Sequence, residues 1–344
     1  MDNLTHSLAG LVTAEIVVQL RRRRGGEVDV RWSRAAWIVS AAAHNVPDID
    51  FVYTWITEGK LGYLLHHRGH THTLALAPLM ALLPFALAWL WARRRGWSWS
   101  RADAAWLLAL AVLGPIGHLL LDLSNSYGVH PFWPISSRWI AGDTIFIVEP
   151  LFWAVTIPAI LLATRARWGR IAWGVALALG LMAPWIAPFV VWPFALAATL
   201  LGAAMLAISQ RVRDGARVGL ALGASVVVLA VFAASGAAAE ARVRRVLGSR
   251  DREAEIVEVV RSPIPATPAC WEMIVVERTG DRHAVRIVRV SAWAPWVPVE
   301  DCSGAARAET TAPLEHEGWR RDGVWIEAEL EASTAELRAL AQRC

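Results

Sequence analysis

Eight of the ten histidines precede residue 131. Seven of these fall into four local groups, most with carboxylate or hydroxyl neighbours. The first is Asn3-Leu4-Thr5-His6-Ser7. The second runs His44-Asn45-Val46-Pro47-Asp48-Ile49-Asp50. The third is His66-His67-Arg68-Gly69-His70-Thr71-His72-Thr73. The fourth reaches from His118 to Asp122, with Gly128 close behind. Imidazole plus carboxylate is the donor set of zinc, manganese or iron. The supply exceeds what one ion needs, which points to one or two divalent ions, zinc first, sharing a bridging carboxylate. Such a site acidifies water and clamps an in-line displacement. Asp48 and Asp50 are candidates for general base as well as ligands, with the choice between carboxylates left open. Arg68 offers a bidentate hold on an anion, or charge to offset a transition state. Each residue also has a plainer reading. His6 would be packing, His66 and His70 solvated loop, Asp48 and Asp50 caps, and Asp122 a cap or a partner of Arg138.

The elements that must position these groups are membrane segments. The chain has 344 residues, 56% of them hydrophobic and 19% charged, which is too apolar for an ordinary soluble protein of this length. Apolar runs at roughly 4–20, 33–47, 72–92, 104–123, 144–164, 171–187, 189–209 and 218–238 are candidate spans. Pro47 stops the second early. Prolines 184, 188 and 193 blur the sixth into the seventh, so the count is seven or eight. The expected class is an all-α polytopic membrane domain followed by a small α+β domain. Residues 1–155 would carry the site, 156–240 further transmembrane helices, and 250–344 the soluble part.

Arginines cluster at 21–24, at 93–95, at Arg165, Arg167 and Arg170, and at Arg211, Arg213 and Arg217. With Arg21–Arg24 inside, the other three clusters also fall inside. A nucleic-acid surface would instead form one stripe on a soluble domain. This topology brings His6, Asp48, Asp50, His67, His72, His118 and Asp122 to the outer face. His44, His70, Asp143 and Glu149 are further candidates there. None of these positions was needed to fix the topology. Ionisable groups at membrane depth are costly and mark function. His118 and Asp122 stand one turn apart on one helix face.

The C-terminal region reads as strands at Trp271–Arg278, Arg282–Ala292 and Gly323–Leu330. A hairpin is expected at Thr279-Gly280-Asp281, and Ser333 with Glu336 would cap a last helix. Arg242, Arg244 and Arg245 oppose export of this region. If it is outside, Cys270 and Cys302 form a disulfide; otherwise they are two buried thiols.

In this order the motifs resemble a known family, the YdjM-like bacterial inner-membrane proteins predicted to be metal-dependent hydrolases. That family has an early His, then P-D-x-D, H-R-G-x-T-H-S, H-x-x-x-D, a nearby Gly and a W-P pair. Here the matching residues are His6, Pro47-Asp48-Ile49-Asp50, His67 to Thr73, His118 to Asp122, Gly128 and Trp133-Pro134. Thr73 replaces the usual Ser. His44 and His70 fall where the pattern varies. The similarity covers roughly residues 1–155 and leaves the substrate open.

The expectation is a multi-pass inner-membrane hydrolase acting at the periplasmic face on a phosphoester or other bond in a lipid or envelope substrate. Two other classes compete with it. A metal transporter or metal-binding sensor needs polar residues through the bilayer, and the segments from 151 to 238 hold almost none. A non-enzymatic envelope protein would act through its C-terminal domain and a partner.

Overall fold

The computed structural model describes residues 1–24, 27–52, 67–302 and 319–341. These form two compact units. The first contains Met1–Gly142, Ile147–Gly180 and Thr199–Val226; the second contains Asp143–Phe146, Leu181–Ala198 and Val227–Cys344.

In the first unit, α1 (Asn3–Arg23), α2 (Val30–Asn45) and α5 (Arg101–Leu123) pack together. Asp2 starts α1 by accepting the Thr5 N–H. Asp29 starts α2, and a capping box between Ser100 and Asp103 starts α5. The apolar faces meet in a core that includes Val17, Val18, Trp32, Val39, Leu107 and Leu110. At one end of this bundle Arg21 donates to Asp103 at 2.6 Å and lies over the Trp32 ring. Trp32 in turn donates to the Asp103 carbonyl. That network fixes the C-terminal end of α1 against the starts of α2 and α5, so the opposite ends must also meet. Gly114 permits the close approach of α5 to α2, because a Cβ there would lie 2.4 Å from the Ala43 side chain.

The third expected segment is broken into α3 (Ala77–Met80) and α4 (Leu82–Arg94). Residues before Ala77 instead form short turns, including a 3-10 turn at His70–His72. Next come α6 (Pro150–Ala163), α7 (Arg167–Ile186), α8 (Trp192–Arg211) and α9 (Asp214–Arg250). Among the described residues, α5, α7, α8 and α9 are long and apolar enough to cross a bilayer. The sequence reading of seven or eight spans thus reduces to four helices that meet both conditions. α2 and α6 have 16 and 14 residues, short of the roughly 20 a span requires.

In the second unit α9 runs well past the apolar stretch expected to end near residue 238. Its 37 residues extend about 55 Å at 1.5 Å per residue. The charged last turns are held by the sheet: Arg242 donates to the carbonyls of Asp322 and Ala294, and Arg250 pairs with Glu329. This is where Arg242, Arg244 and Arg245 belong, on a helix that has left its apolar stretch. The sheet comprises β1 (Glu255–Ile264), β2 (Thr267–Thr279), β3 (Arg282–Ser291), β4 (Arg320–Arg321) and β5 (Val324–Ser333), antiparallel, in the order β1-β2-β3-β5-β4. The hairpin between β2 and β3 turns at Gly280, whose φ is +60°. Ser333 and Glu336 exchange hydrogen bonds at the start of α10 (Thr334–Ala341). Strand β1 was not anticipated from sequence.

Cys270 and Cys302 form a disulfide. The chain has three cysteines. Denatured, unreduced protein should therefore take up one thiol-specific mass tag, rising to three after reduction. Three tags before reduction would contradict the bond.

Candidate metal centre

All four sequence groups contribute to one end of the α1–α2–α5 bundle. His6 lies in the first turn of α1, and Asp48 and Asp50 on the 3-10 turn that continues α2. His72 closes the turn before α3, and His118 and Asp122 sit one turn apart at the end of α5. All six are buried.

Asp48, His72, His118 and Asp122 bring one donor atom each to a common point. The Nε2 atoms of His72 and His118 are 3.0 Å apart. His72 Nε2 lies 3.4 Å from Asp48 Oδ1 and 3.3 Å from Asp122 Oδ2. His118 Nε2 lies 3.5 Å and 3.3 Å from the same two oxygens. Tetrahedral ligands at about 2.0–2.1 Å from a zinc ion stand about 3.3–3.4 Å apart. The four nitrogen–oxygen edges, 3.3–3.5 Å, lie close to that figure, and the nitrogen–nitrogen edge is shorter at 3.0 Å.

Hydrogen bonding fixes where the imidazole protons are. His118 Nδ1 is 2.6 Å from the His44 carbonyl, which only accepts, so the proton is on Nδ1. Thr71 Oγ1 donates to Asp50 Oδ2 at 2.9 Å and thereby accepts from His72 Nδ1, also at 2.9 Å. With both rings neutral, the two Nε2 atoms present lone pairs to each other, an arrangement that calls for a proton or a metal ion between them. Asp122 Oδ2, buried, has no hydrogen-bond partner among the described residues. The same is true of both ring nitrogens of His6, which stacks on His118 at 3.7 Å. His6 Nε2 stands 3.3 Å from Asp122 Oδ1.

Charge points the same way. The carboxylates of Asp48, Asp50 and Asp122 are buried, and the Arg68 guanidinium pairs with Asp122. Burial opposes ionisation of Asp48 and Asp50. Hydrogen bonds from His72 to Asp48, and from His67 and His72 to Asp50, overcome it and hold both below the usual carboxylate range. Burial likewise opposes charging His72, but Asp122, Asp48 and Asp50 outweigh it and push its pKa up to about 10. In the metal-free protein a proton thus takes the place that a cation would fill.

A second group joins Asp48 and Asp50 to half-buried His67. His67 Nδ1 meets Asp50 Oδ1 at 3.0 Å. Asp50 also organises the loop, since its Oδ2 accepts the Arg68 backbone N–H at 2.8 Å. Asp48 is common to both groups, as a bridging carboxylate would be.

Arg68 has a φ of +61° and its guanidinium is buried. Its Nη atoms donate to Asp122 Oδ1 and Asn125 Oδ1 at 3.0 Å and to the Gly128 carbonyl at 3.1 Å. Gly128 has a φ of +64°, and a Cβ there would meet the Ile140 carbonyl at 2.4 Å. The amino group of Met1 also contacts Asp122 Oδ1.

Other candidates fall elsewhere. His44 is buried, gives its Nδ1 proton to the Ser40 carbonyl and faces Gly117, so it serves the cluster through its backbone carbonyl. His70 is exposed, edge-on to Trp133. Glu149 accepts the Leu151 N–H at the start of α6 and is not among the converging donors. Asp143 belongs to the second unit, beside Arg261. His66 lies outside the described residues. Sequence reasoning missed Asn125, which accepts from both Arg68 and the Tyr127 N–H, and the relay through Thr71. An Asn three residues beyond Asp122 was the available signal.

A model described as "YdjM inner membrane protein" matches residues 1–189. The chain belongs to that family, and with its four apolar helices it is a bacterial inner-membrane protein. It is also similar to the uncharacterized protein YfhP of Bacillus subtilis (strain 168), 26% identical over 165 residues, covering 46% of this chain and 45% of that one. The match thus spans less than half of that relative. No solved structure matches the chain significantly.

Removing the Thr71 relay by Thr71→Val should weaken metal affinity by about 10–100-fold, the usual cost of losing an outer-shell partner. Metal titration by calorimetry reads this directly. An unchanged affinity would contradict the relay. Because the ion and a proton compete for His72 Nε2, uptake should release a proton and tighten from about pH 6 to about pH 8. Titrations in buffers of different ionisation enthalpy measure both effects.

Proposed function

We propose that the protein is a membrane-bound metal-dependent hydrolase acting at the outer face of the inner membrane. Its substrate would be a phosphoester or similar bond in a lipid or envelope amphiphile. The observation that carries this reading is the buried tetrad of Asp48, His72, His118 and Asp122, with its imidazole lone pairs turned on one point. His6 supplies a further donor. Asp48, Asp50 and His67 would hold a second ion.

The donor set of two imidazoles and two carboxylates suits zinc, and also manganese or iron. When bound, such an ion supplies Lewis acidity, polarising a phosphoryl or carbonyl oxygen and acidifying water. The chain's own residues do the rest. Thr71 and Asp50 hold His72 in the tautomer that leaves Nε2 free. Arg68 offsets the charge of Asp122 and locks the loop to Asn125 and Gly128. Asp50 accepts from His67, the Arg68 N–H and Thr71, and so holds the loop and the His72 relay in place.

One feature supports an amphiphilic substrate and two support the outer side. The loop after α5 exposes Phe132, Trp133, Ile135 and Trp139, with Ile135 95% exposed. Aromatic residues with an exposed aliphatic tip suit the bilayer interface. The arginine clusters lie at the other ends of the helices, which favours the cytoplasm for those ends. A Cys270–Cys302 disulfide favours an oxidising compartment for the sheet.

The test is hydrolysis of phospholipid and phosphodiester panels by protein reconstituted with zinc, manganese or iron, with His72→Ala and Asp122→Asn beside it. Both variants should lose bound metal and turnover while still inserting into the membrane. Full turnover by both would overturn the assignment.

A further inference from the structure

A cavity of about 410 Å³ lies in the first unit among α1, α2, the end of α6, the turn at 164–166 and the start of α9. It is remote from the carboxylate–imidazole cluster. Arg22 lines the cavity and His6 belongs to the cluster; 16 positions of α1 separate them, about 24 Å along the helix.

The lining combines two chemistries. Arg22, Arg34 and Arg165 come from three separate elements, and Val18, Ile38 and Leu162 form the adjoining apolar wall. Among the described residues none of the three arginines makes an ion pair. Two carboxylates, Glu15 and Asp214, also line it. Glu15 accepts from Gln19 at 2.6 Å and from Trp37 at 3.0 Å, and Asp214 pairs with Arg217 at 3.0 Å. With Asp214 paired to Arg217, the three arginines outnumber Glu15, and the cavity keeps a surplus of positive charge beside apolar surface. A positive-inside bias alone would scatter arginines around the helix ends; it does not require three of them on one cavity.

The position sets the occupant. The apolar helix α7 begins at Arg167, directly after the turn at 164–166, so the cavity sits at the level where the bilayer's headgroups meet its chains. We infer that this cavity is a binding site for an anionic phospholipid, the arginines taking the phosphate and Ile38 and Leu162 lying along the acyl chain. Arginine is suited to phosphate oxygens by its planar fork. The site is independent of the proposed hydrolysis.

The experiment is native mass spectrometry of delipidated full-length protein offered phosphatidylglycerol and phosphatidylcholine in equal amounts. Phosphatidylglycerol should be retained preferentially. The double variant Arg34→Gln/Arg165→Gln should weaken its retention by about 25-fold, about fivefold per arginine. A control with the same charge change, Arg167→Gln/Arg170→Gln, lies outside the cavity and should leave retention unchanged. All four positions are exposed, so both variants should keep the wild-type elution volume. Equal retention of the two lipids, an intact response in the cavity variant, or equal loss in the control would each overturn the site. Displacement of the lipid by millimolar inorganic phosphate would overturn the lipid reading in favour of a free-phosphate site.

Discussion

Three carboxylates buried at one end of a membrane helix bundle set the constraint from which the rest of the first unit follows. Burying an ionised carboxylate without compensation is prohibitive. The fold answers with Arg68, whose left-handed backbone lets its side chain reach Asp122, Asn125 and Gly128 together. One guanidinium does not balance Asp48, Asp50 and Asp122. Part of the remainder falls on His72, which holds a proton well above its ordinary range when nothing else is bound, and the Met1 amino group also contacts Asp122. A site in this electrostatic state is built to exchange that proton for a cation.

The precision of the tetrad originates in helix packing. Gly114 lets α5 approach Ala43, and at this close contact His118 of α5 reaches the His44 carbonyl of α2. That hydrogen bond turns the imidazole so that Nε2 faces His72. At the other end of the bundle Trp32 of α2 donates to the Asp103 carbonyl of α5, which keeps the two helices in register, and Arg21 ties α1 to the same residue. Distant residues therefore decide which nitrogen of His118 is a ligand.

Much of this was legible in the sequence, for identifiable reasons. His118 and Asp122 are four apart in an apolar run, a spacing that the helix converts into adjacency. Asp48, Asp50, His67 and His72 were legible by type and by the order of their motifs. What the sequence did not contain was direction. His44 and His118 look equivalent as letters, yet one turns toward Gly117 and the other toward His72. Thr71 and Asn125 carry no ionisable group, so their roles emerge only from hydrogen-bond partners. Hydropathy also overran the helices. The third apolar segment breaks at Ala81 between α3 and α4. The eighth ends near residue 238 although the helix continues to Arg250, because apolarity records burial or lipid contact and helicity does not require either.

The dipoles of the helices reinforce the division between the two ends of the first unit. α5 ends at Leu123, so its partially negative carbonyl end lies at Asp122 and deepens the potential that attracts a cation. α1 ends in Arg21, Arg22 and Arg23, where the same kind of carbonyl end favours basic side chains. One helix thus directs its negative end into the carboxylate cluster, while another uses its own to stabilise arginines. A cation-seeking centre and an anion-seeking cavity on the same α1 are consequences of antiparallel packing combined with unlike last turns. Under the proposed orientation the arginine bias would give each end its own side of the bilayer, and the chemistry of the chain would become directional without any further element.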